Sequence, residues 1–271
     1  MPELPEIETL VRGLAPVLRA RRIAGVAVHD PRLRTRIARD FAASLTGRCI
    51  VDVRRHGKFM LVGLDDGRVW LVHLGMSGRL TLSRPGRPDM PHDHVVLRLD
   101  DGRLLTYNDP RRFGRLAVVA GDAVDSETAP GLDALSGELT ADFLHERSRR
   151  HRRATVKAML MDQREVAGLG NIYVNEALFR AGIRPMRRFA RLKRTDVDRI
   201  AEAVRWVLRR AIDSRGSSLL DYRDADGNAG EFQRTLRVYD RAGEPCVTCG
   251  TSVRRRVLGG RSSFYCPTCQ R

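Results

Sequence analysis

Lysine is nearly missing from this chain of 271 residues. Of its 49 basic residues only Lys58, Lys157 and Lys193 are lysines; all the others are arginines. An ammonium is a compact point charge and a guanidinium a planar fork, so an arginine-rich chain marks its few lysines as positions the fork does not serve. Lys193 lies inside a basic run and carries the least weight, which leaves Lys58 and Lys157 as candidates. Long apolar runs are missing too. No stretch reaches the ~18 residues of a membrane span. The opening Met1-Pro2-Glu3-Leu4-Pro5-Glu6 bears carboxylates where a secretory signal needs positive charge, so a soluble, cytoplasmic protein is expected. A composition of 42% hydrophobic and 30% charged residues excludes wholesale disorder.

Acid is missing locally. The stretches 147–157 and 184–194 contain no Asp or Glu, within a chain whose net charge is +16. Such an excess favours a polyanionic partner, of which nucleic acid is the commonest, and clustered cations suit a row of phosphates. A basic surface kept for solubility is the alternative.

Apolar residues at Ile7, Leu10, Val11, Leu14 and Leu18 predict a helix from Pro5 to Leu18, which Pro16 should kink or end early. Strand-like runs follow at Ile23–Val28, Ile50–Leu64, Val69–Leu74, Val95–Leu99 and Leu104–Tyr107. Asp65-Asp66-Gly67 and Asp100-Asp101-Gly102 read as hairpin turns between them. Small and polar residues between Gly121 and Gly137 suggest a linker. Beyond it, Thr195 and Asp198 resemble a helix start, and Ile200, Val204, Leu208 and Ile212 supply one helix face. The expected fold class is α+β, with domain boundaries at 1–135, a linker at 136–148, a helical domain at 149–235 and a metal module at 236–271.

Cys246-x2-Cys249 and Cys266-x2-Cys269 form two knuckles, a spacing suited to one tetrahedral zinc. A segment this small and poor in apolar residues needs the metal to fold. A pair of disulfides is the alternative, without a secretion signal to support it. The set suggests no open coordination position, so the zinc is expected to be structural. The fifth cysteine, Cys49, lies in a strand-like run and reads as a buried apolar residue. Arg254, Arg255, Arg256 and Arg261, between the knuckles, suit bidentate phosphate contacts or simply a solvated face. Ala167-Gly168-Leu169-Gly170-Asn171-Ile172-Tyr173 permits a sharp turn, with Asn171 capping a new helix whose free N–H groups attract anions. Gly75-Met76-Ser77-Gly78 and Asn108-Asp109-Pro110-Arg111-Arg112-Phe113-Gly114 each set a long or planar side chain on a Gly-flanked tip. Such side chains enter a base stack as wedges, or else fill a core. Removal of Met1 would leave Pro2 as a secondary amine that titrates near ~8 and is therefore a nucleophile at neutral pH, with Glu3 beside it as an acid.

Together PELPEIE, HGK at Lys58, HLGMSG, NDPRRFG, AGLGNIYVNEALF and the terminal FYCPTCQR resemble the formamidopyrimidine-DNA glycosylase family, bacterial repair enzymes that excise oxidised purines. The resemblance covers essentially the whole chain. It implies an N-terminal two-layer antiparallel β-sandwich with flanking helices, a helix-two-turn-helix domain and a C-terminal zinc ribbon, with DNA crossing between domains. It implies a catalytic set of Pro2 as nucleophile, Glu3 as acid, Lys58 on a β-hairpin and Arg261, with Glu6 as a second N-terminal carboxylate. Lys157, Asn171 and Arg261 would clasp phosphates, and Met76, Arg111 and Phe113 would fill the gap left by an extruded nucleotide. His92 and Arg112 join the implied DNA-binding set. Residues 217–233 would form a loop over the damaged base. The implied partner is double-stranded DNA bearing oxidised bases or abasic sites, bound by a nucleoid-associated monomer that holds one structural Zn2+. An endonuclease VIII-type enzyme for oxidised pyrimidines, or a non-catalytic zinc-ribbon binder, are the rival readings.

Overall fold

The computed structural model describes residues 2–218, 222–225 and 227–271. Contacts divide the chain into two units, Met1–Thr128 with Ser214–Gln233, and Ala129–Asp213 with Arg234–Arg271. The sequence boundaries assign residues 214–233 to the helical domain. The structure instead packs Ala225 into the core of the first unit, where its carbonyl accepts from the Leu82 N–H at 3.4 Å.

The first unit opens with α1 (Leu4–Leu18). Pro16 lies inside it, two residues before its end, and does not end it early: it removes one bond, to the Arg12 carbonyl, and the turns before it stay intact. Strands β1 (Ile23–Val28), β2 (Ile50–His56), β3 (Phe59–Leu64), β4 (Arg68–His73), β5 (Arg79–Ser83), β6 (Asp93–Leu99), β7 (Leu104–Asn108) and β8 (Arg115–Ala120) form two antiparallel sheets, ordered β1-β6-β7-β5 and β2-β3-β4-β8. Short helices α2 (Phe41–Leu45) and α3 (Val124–Glu127) flank them. Both Asp-Asp-Gly segments join adjacent antiparallel strands, β3 to β4 and β6 to β7. The single run expected over 50–64 is two strands, reversed at Gly57-Lys58, where Gly57 supplies φ +55°.

Alternation decides which side chains enter the core. Ile23, Val95, Leu97, Leu105 and Tyr107 of the first sheet meet Val53, Met60, Val62, Trp70 and Val72 of the second, with Ile7, Leu10 and Leu14 of α1. The second sheet also buries its other face, through Leu61, Val69 and Leu71 against Val124 of α3. Strand β3, buried on both faces, reads as a continuous apolar run, so alternation does not mark the reversal at Gly57, which only the resemblance anticipates by placing Lys58 on a β-hairpin.

The second unit contains β9 (Leu132–Asp133) paired in parallel with β10 (Val166–Ala167), and helices α4 (Ala141–Arg150), α5 (Val156–Met161), α6 (Asn171–Ala181) and α7 (Arg194–Asp213). The linker expected at 136–148 holds most of α4, which the Thr140 side chain caps by accepting from the Phe143 N–H at 3.2 Å. Ile200, Val204, Leu208 and Ile212 are all buried along α7. Strands β11 (Arg254–Leu258) and β12 (Arg261–Tyr265) make the terminal hairpin. Two neighbours on α6 hold this module, one at the hairpin and one at the segment before it. Asn175 accepts from the Phe264 N–H at 2.8 Å, and the Glu176 carboxylate accepts from the N–H groups of Arg237, Val238 and Tyr239 at 2.9, 3.0 and 2.9 Å. Burial pushes the Glu176 carboxyl upward, and the three N–H donors oppose that shift. No helix among the described residues is long and apolar enough to cross a membrane.

Trp70 is fully buried, edge-on to Phe41 at 6.5 Å, whereas Val51 is 56% exposed on strand β2 of the same sheet. Trp70→Ala should therefore cost ~3–5 kcal/mol of unfolding free energy. Val51→Ala should stay within ~0.5 kcal/mol, both read from urea midpoints at constant m.

Candidate active site and nucleic-acid interface

The candidate catalytic residues begin at the N-terminus of α1. Pro2 is buried, directly before the helix-capping residue Glu3. The Glu3 N–H donates to Glu6 Oε2 at 2.7 Å, while Glu6 Oε1 accepts from the Ser217 N–H at 2.7 Å. The Tyr222 hydroxyl donates to the Glu6 carbonyl at 3.1 Å. Gly216 approaches so closely, at φ +79°, that a Cβ there would lie 2.7 Å from Glu6 Oε1. Burial, and then the charges of Glu6 and Asp224, push the Tyr222 phenol upward, which keeps it a neutral donor. Glu6 is thus a brace that fixes the backbone beside Pro2 and ties it to the Ser217 segment. Of the loop expected at 217–233, residues 219–221 and 226 lie outside the described residues.

Lys58 sits in the β2–β3 turn and is only 8% exposed. Arg55, near the end of β2, donates to Glu8 Oε2 of α1 at 2.8 Å and to the Gly57 carbonyl at 3.0 Å, so the helix and the turn are held together. Opposite Phe59 in the sheet stands His73, its ring centroid 4.8 Å from that of Phe59. Burial first, then the charges of Lys58, Arg34 and Arg115, push the His73 imidazole down to about 4. Its Nδ1 accepts from the Gly75 N–H at 3.1 Å, so the neutral ring carries its proton on Nε2. Arg55, Glu8 and His73 were not among the expected site residues. Glu8 closes the PELPEIE motif and His73 opens HLGMSG, but the Arg55–Glu8 pair spans 47 residues and the His73–Phe59 contact joins two strands, so the sequence does not show these contacts.

The two Gly-flanked tips project outward. Met76 is 37% and Phe113 41% exposed, which is not core packing, and the Arg111 guanidinium lies 4.9 Å from the Phe113 ring centroid. Arg112, at φ +59°, pairs with Asp30 at 2.9 Å. Asp30 is held far below the usual carboxylate range by hydrogen bonds from Arg32, with the Arg112 charge adding to them. His92 is exposed at φ +71°, and its carbonyl accepts from the Asp109 N–H at 3.1 Å.

In the second unit a cleft of ≈ 530 Å³ is lined by Arg153, Thr155, Lys157, Asp162 and Arg261. Lys157 is 1% exposed, and its Nζ donates to the Ser262 carbonyl at 2.8 Å and Ser263 Oγ at 2.7 Å. Expected as a phosphate ligand, Lys157 instead turns its ammonium to β12, which it supports beside the exposed Arg261, and it lines the cleft with that residue. Asn171 is the first residue of α6 rather than its cap; Gly170 occupies the capping position, and Asn171 Oδ1 accepts from the Asn175 side chain at 3.3 Å. The helix opens one residue earlier than expected because the extended Gly170 backbone already makes the reversal.

The four cysteines of the terminal module have their Sγ atoms within 4.8 Å of one another, with Cys246–Cys269 at 3.9 Å and Cys249–Cys266 at 3.5 Å. A tetrahedron with ~2.3 Å zinc–sulfur bonds has edges of ~3.8 Å, so the set fits one four-coordinate zinc with no open position. No disulfide joins them, and Cys49 is half-buried in the other unit. The zinc is structural and holds the hairpin that carries Arg261. Cys249→Ser should bring zinc content from one per chain toward zero and open residues 254–261 to trypsin, while residues 2–128 stay protected. Purified protein that contains no zinc and resists trypsin there would contradict this.

Residues 1–116 match the formamidopyrimidine-DNA glycosylase N-terminal domain, residues 131–222 the H2TH domain of the same enzymes, and residues 243–271 the zinc finger found in FPG and IleRS. The formamidopyrimidine-DNA glycosylase of Hahella chejuensis is 44% identical over 273 residues, covering 100% of both chains. That of Chloroflexus aggregans is 45% identical, covering 100% of this chain and 98% of its own. Among solved structures, the MutM (FPG) protein of Thermus thermophilus superposes with a TM-score of 0.87 at 41% identity, covering 99% of this chain and 98% of its own. The Lactococcus lactis Fpg in complex with abasic-site DNA superposes at 0.91 with 30% identity, covering 99% of each chain. Continuous similarity at this level, over both units and the zinc module, shows that the chain belongs to the formamidopyrimidine-DNA glycosylase family.

Proposed function

We propose that this protein is a bifunctional DNA glycosylase that removes oxidised purines from double-stranded DNA and nicks the resulting abasic site. One observation carries the reading: the buried Pro2-Glu3 pair is fixed by the Glu6 brace, in a chain of this family. A binding module has no use for such an arrangement. With Met1 removed, the Pro2 nitrogen is a secondary amine with a free electron pair. It attacks C1′ of the lesion nucleotide, the glycosidic bond breaks, and that bond's electron pair leaves with the base, which takes up a proton while the attacking nitrogen gives up its own. Glu3 gives a proton to the ring oxygen, and the opened sugar becomes a cationic iminium on the Pro2 nitrogen. That cation is an electron sink. Loss of a C2′ proton expels the 3′ phosphate, and a second elimination expels the 5′ phosphate, so the strand is cut without a catalytic metal.

The remaining residues hold the DNA. Lys58 contacts the lesion nucleotide from its braced turn. Met76, Arg111 and Phe113 fill the space of the extruded base, as wedge side chains do in other duplex-bending proteins. Arg261 and Asn171 bind phosphates, with Lys157 supporting Arg261 from behind, and His92 and Arg112 extend the contact surface. The three functional segments are read as 1–135, 149–235 and 236–271, although contacts group 129–135 with the second unit and 214–233 with the first. The protein works as a monomer at the nucleoid.

Two outcomes test this. Borohydride should trap a covalent adduct on duplexes carrying 8-oxoguanine or a formamidopyrimidine, and an uncleaved N-terminal extension should abolish it. Preferential trapping on thymine glycol would favour the pyrimidine enzyme, and no adduct on any lesion would favour a binder. Arg111 should also read the base opposite the lesion. Cytosine presents O2 and N3 as adjacent acceptors, whereas adenine sets a donor beside its single acceptor. A charged donor left unpaired costs about 1.5–3 kcal/mol, so single-turnover excision opposite cytosine should exceed that opposite adenine by roughly tenfold to a hundredfold. Arg111→Ala should remove the preference.

A further inference from the structure

The two outward tips are not independent loops. Beneath them lies Asp109, fully buried, with every polar group engaged. Its Oδ1 accepts from Ser77 Oγ at 2.6 Å; its Oδ2 accepts from the Tyr107 hydroxyl at 3.2 Å and the Gly114 N–H at 2.9 Å. Its carbonyl accepts from Nε2 of the buried His94 at 2.8 Å, and its N–H donates to the His92 carbonyl at 3.1 Å. Ser77 completes a circuit, because its Oγ in turn accepts from the Arg111 N–H at 3.1 Å. The backbone of the Met76 tip is thereby wired to the backbone of Arg111 through two side chains.

Close packing reinforces the wiring. A Cβ on Gly75 would overlap the Phe113 carbonyl group, and one on Gly114 would overlap the Tyr107 hydroxyl. A Cβ on Gly78 would lie 2.6 Å from that same hydroxyl. The Tyr107 oxygen thus sits in a slot between two glycines, aimed at Asp109. Burial, the Asp109 charge and the hydrogen bond together push the phenol far upward, so it remains a donor throughout the working pH range. Meanwhile Met76, Arg111 and Phe113 have few fixed partners of their own at the exposed tips. Their placement is set from below.

We propose that Asp109 is a positioning residue that, with Ser77 and Tyr107, locks the Met76 tip and the Arg111–Phe113 tip into one rigid wedge. The role in DNA rests on the function proposed above; the locking itself does not. A rigid wedge enters the base stack as one body, so Arg111 arrives at the orphaned base already aimed. Two loose loops would each have to be ordered on DNA, at a cost in rate and in discrimination.

The substitutions separate these cases. In Asp109→Asn the amide NH2 must face either Ser77, whose hydroxyl hydrogen then loses its acceptor, or Gly114, whose N–H then faces a donor. Ser77→Ala is the milder variant and sits on the Met76 side of the circuit, away from the Arg111 side chain. Both variants should speed amide hydrogen exchange at Ser77–Gly78 and at Arg111–Gly114 together, by tenfold or more, with the β4 amides unchanged. This measurement needs no DNA. Acceleration at one tip only, or at neither, would overturn the proposal, and an Asp109→Asn protein that fails to fold leaves Ser77→Ala to decide it. On DNA, Ser77→Ala should reduce the cytosine-over-adenine preference at least threefold while nicking of a preformed abasic site stays within twofold. Coupled exchange with an unchanged preference would overturn the role in reading the orphan base. Wild-type protein that forms no borohydride adduct would count against the function proposed above, and leave the exchange result standing.

Discussion

The Glu6 carboxylate is the interaction on which the rest of the site depends. One oxygen takes the Glu3 N–H and the other the Ser217 N–H, both at 2.7 Å and both out of water. A buried carboxylate is tolerable only when donors surround it, and backbone donors are the least adjustable kind. Once Glu6 is satisfied in this way, the Glu3 N–H is held, and with it the peptide that joins Pro2 to Glu3. The Gly216 backbone follows from the same constraint, since any side chain there would strike the carboxylate. So does the grouping of residues 214–233 with the first unit, although residues 129–213 of the second unit precede them in the chain.

The second unit solves a different problem with the same means. Its terminal hairpin is too small to fold on apolar burial and carries arginines on an exposed strand. Zinc closes the knuckles, and α6 holds the outside through Asn175 and Glu176. Lys157 directs its ammonium to Ser262 and Ser263 rather than to solvent, which places Arg261 at the end of a supported strand. At this position a compact ammonium with three donors serves both the Ser262 carbonyl and the Ser263 hydroxyl.

Much of this was legible in the sequence, and the reasons are specific. Four cysteines in two knuckles identify their own geometry, because tetrahedral coordination admits few spacings. The Asp-Asp-Gly turns and the Ile200, Val204, Leu208, Ile212 stripe follow from local backbone preferences. The reversal at Gly57-Lys58 escaped the alternation pattern because β3 is buried on both faces, which erases the period of two; only the family resemblance placed Lys58 on a hairpin. Strand β5 and strand β8 carry mixed patterns that only their neighbours interpret. The braces were out of reach altogether. Glu6 and Ser217 are 211 residues apart, Lys157 and Ser263 are 106 apart, and no local pattern predicts either pair. Motifs identified which residues matter, while Glu6, Lys157 and Asp109 are braces whose function is visible only in three dimensions.

The central claim is that the Pro2 nitrogen, held by the Glu6 brace, is the atom that bonds to DNA. Peptide mapping by mass spectrometry of the borohydride-reduced complex with an 8-oxoguanine duplex tests it most directly. The sugar remnant is expected on the N-terminal peptide, on the nitrogen of Pro2, with Met1 absent. A remnant on the peptide containing Lys58, with the N-terminal peptide unmodified, would contradict it.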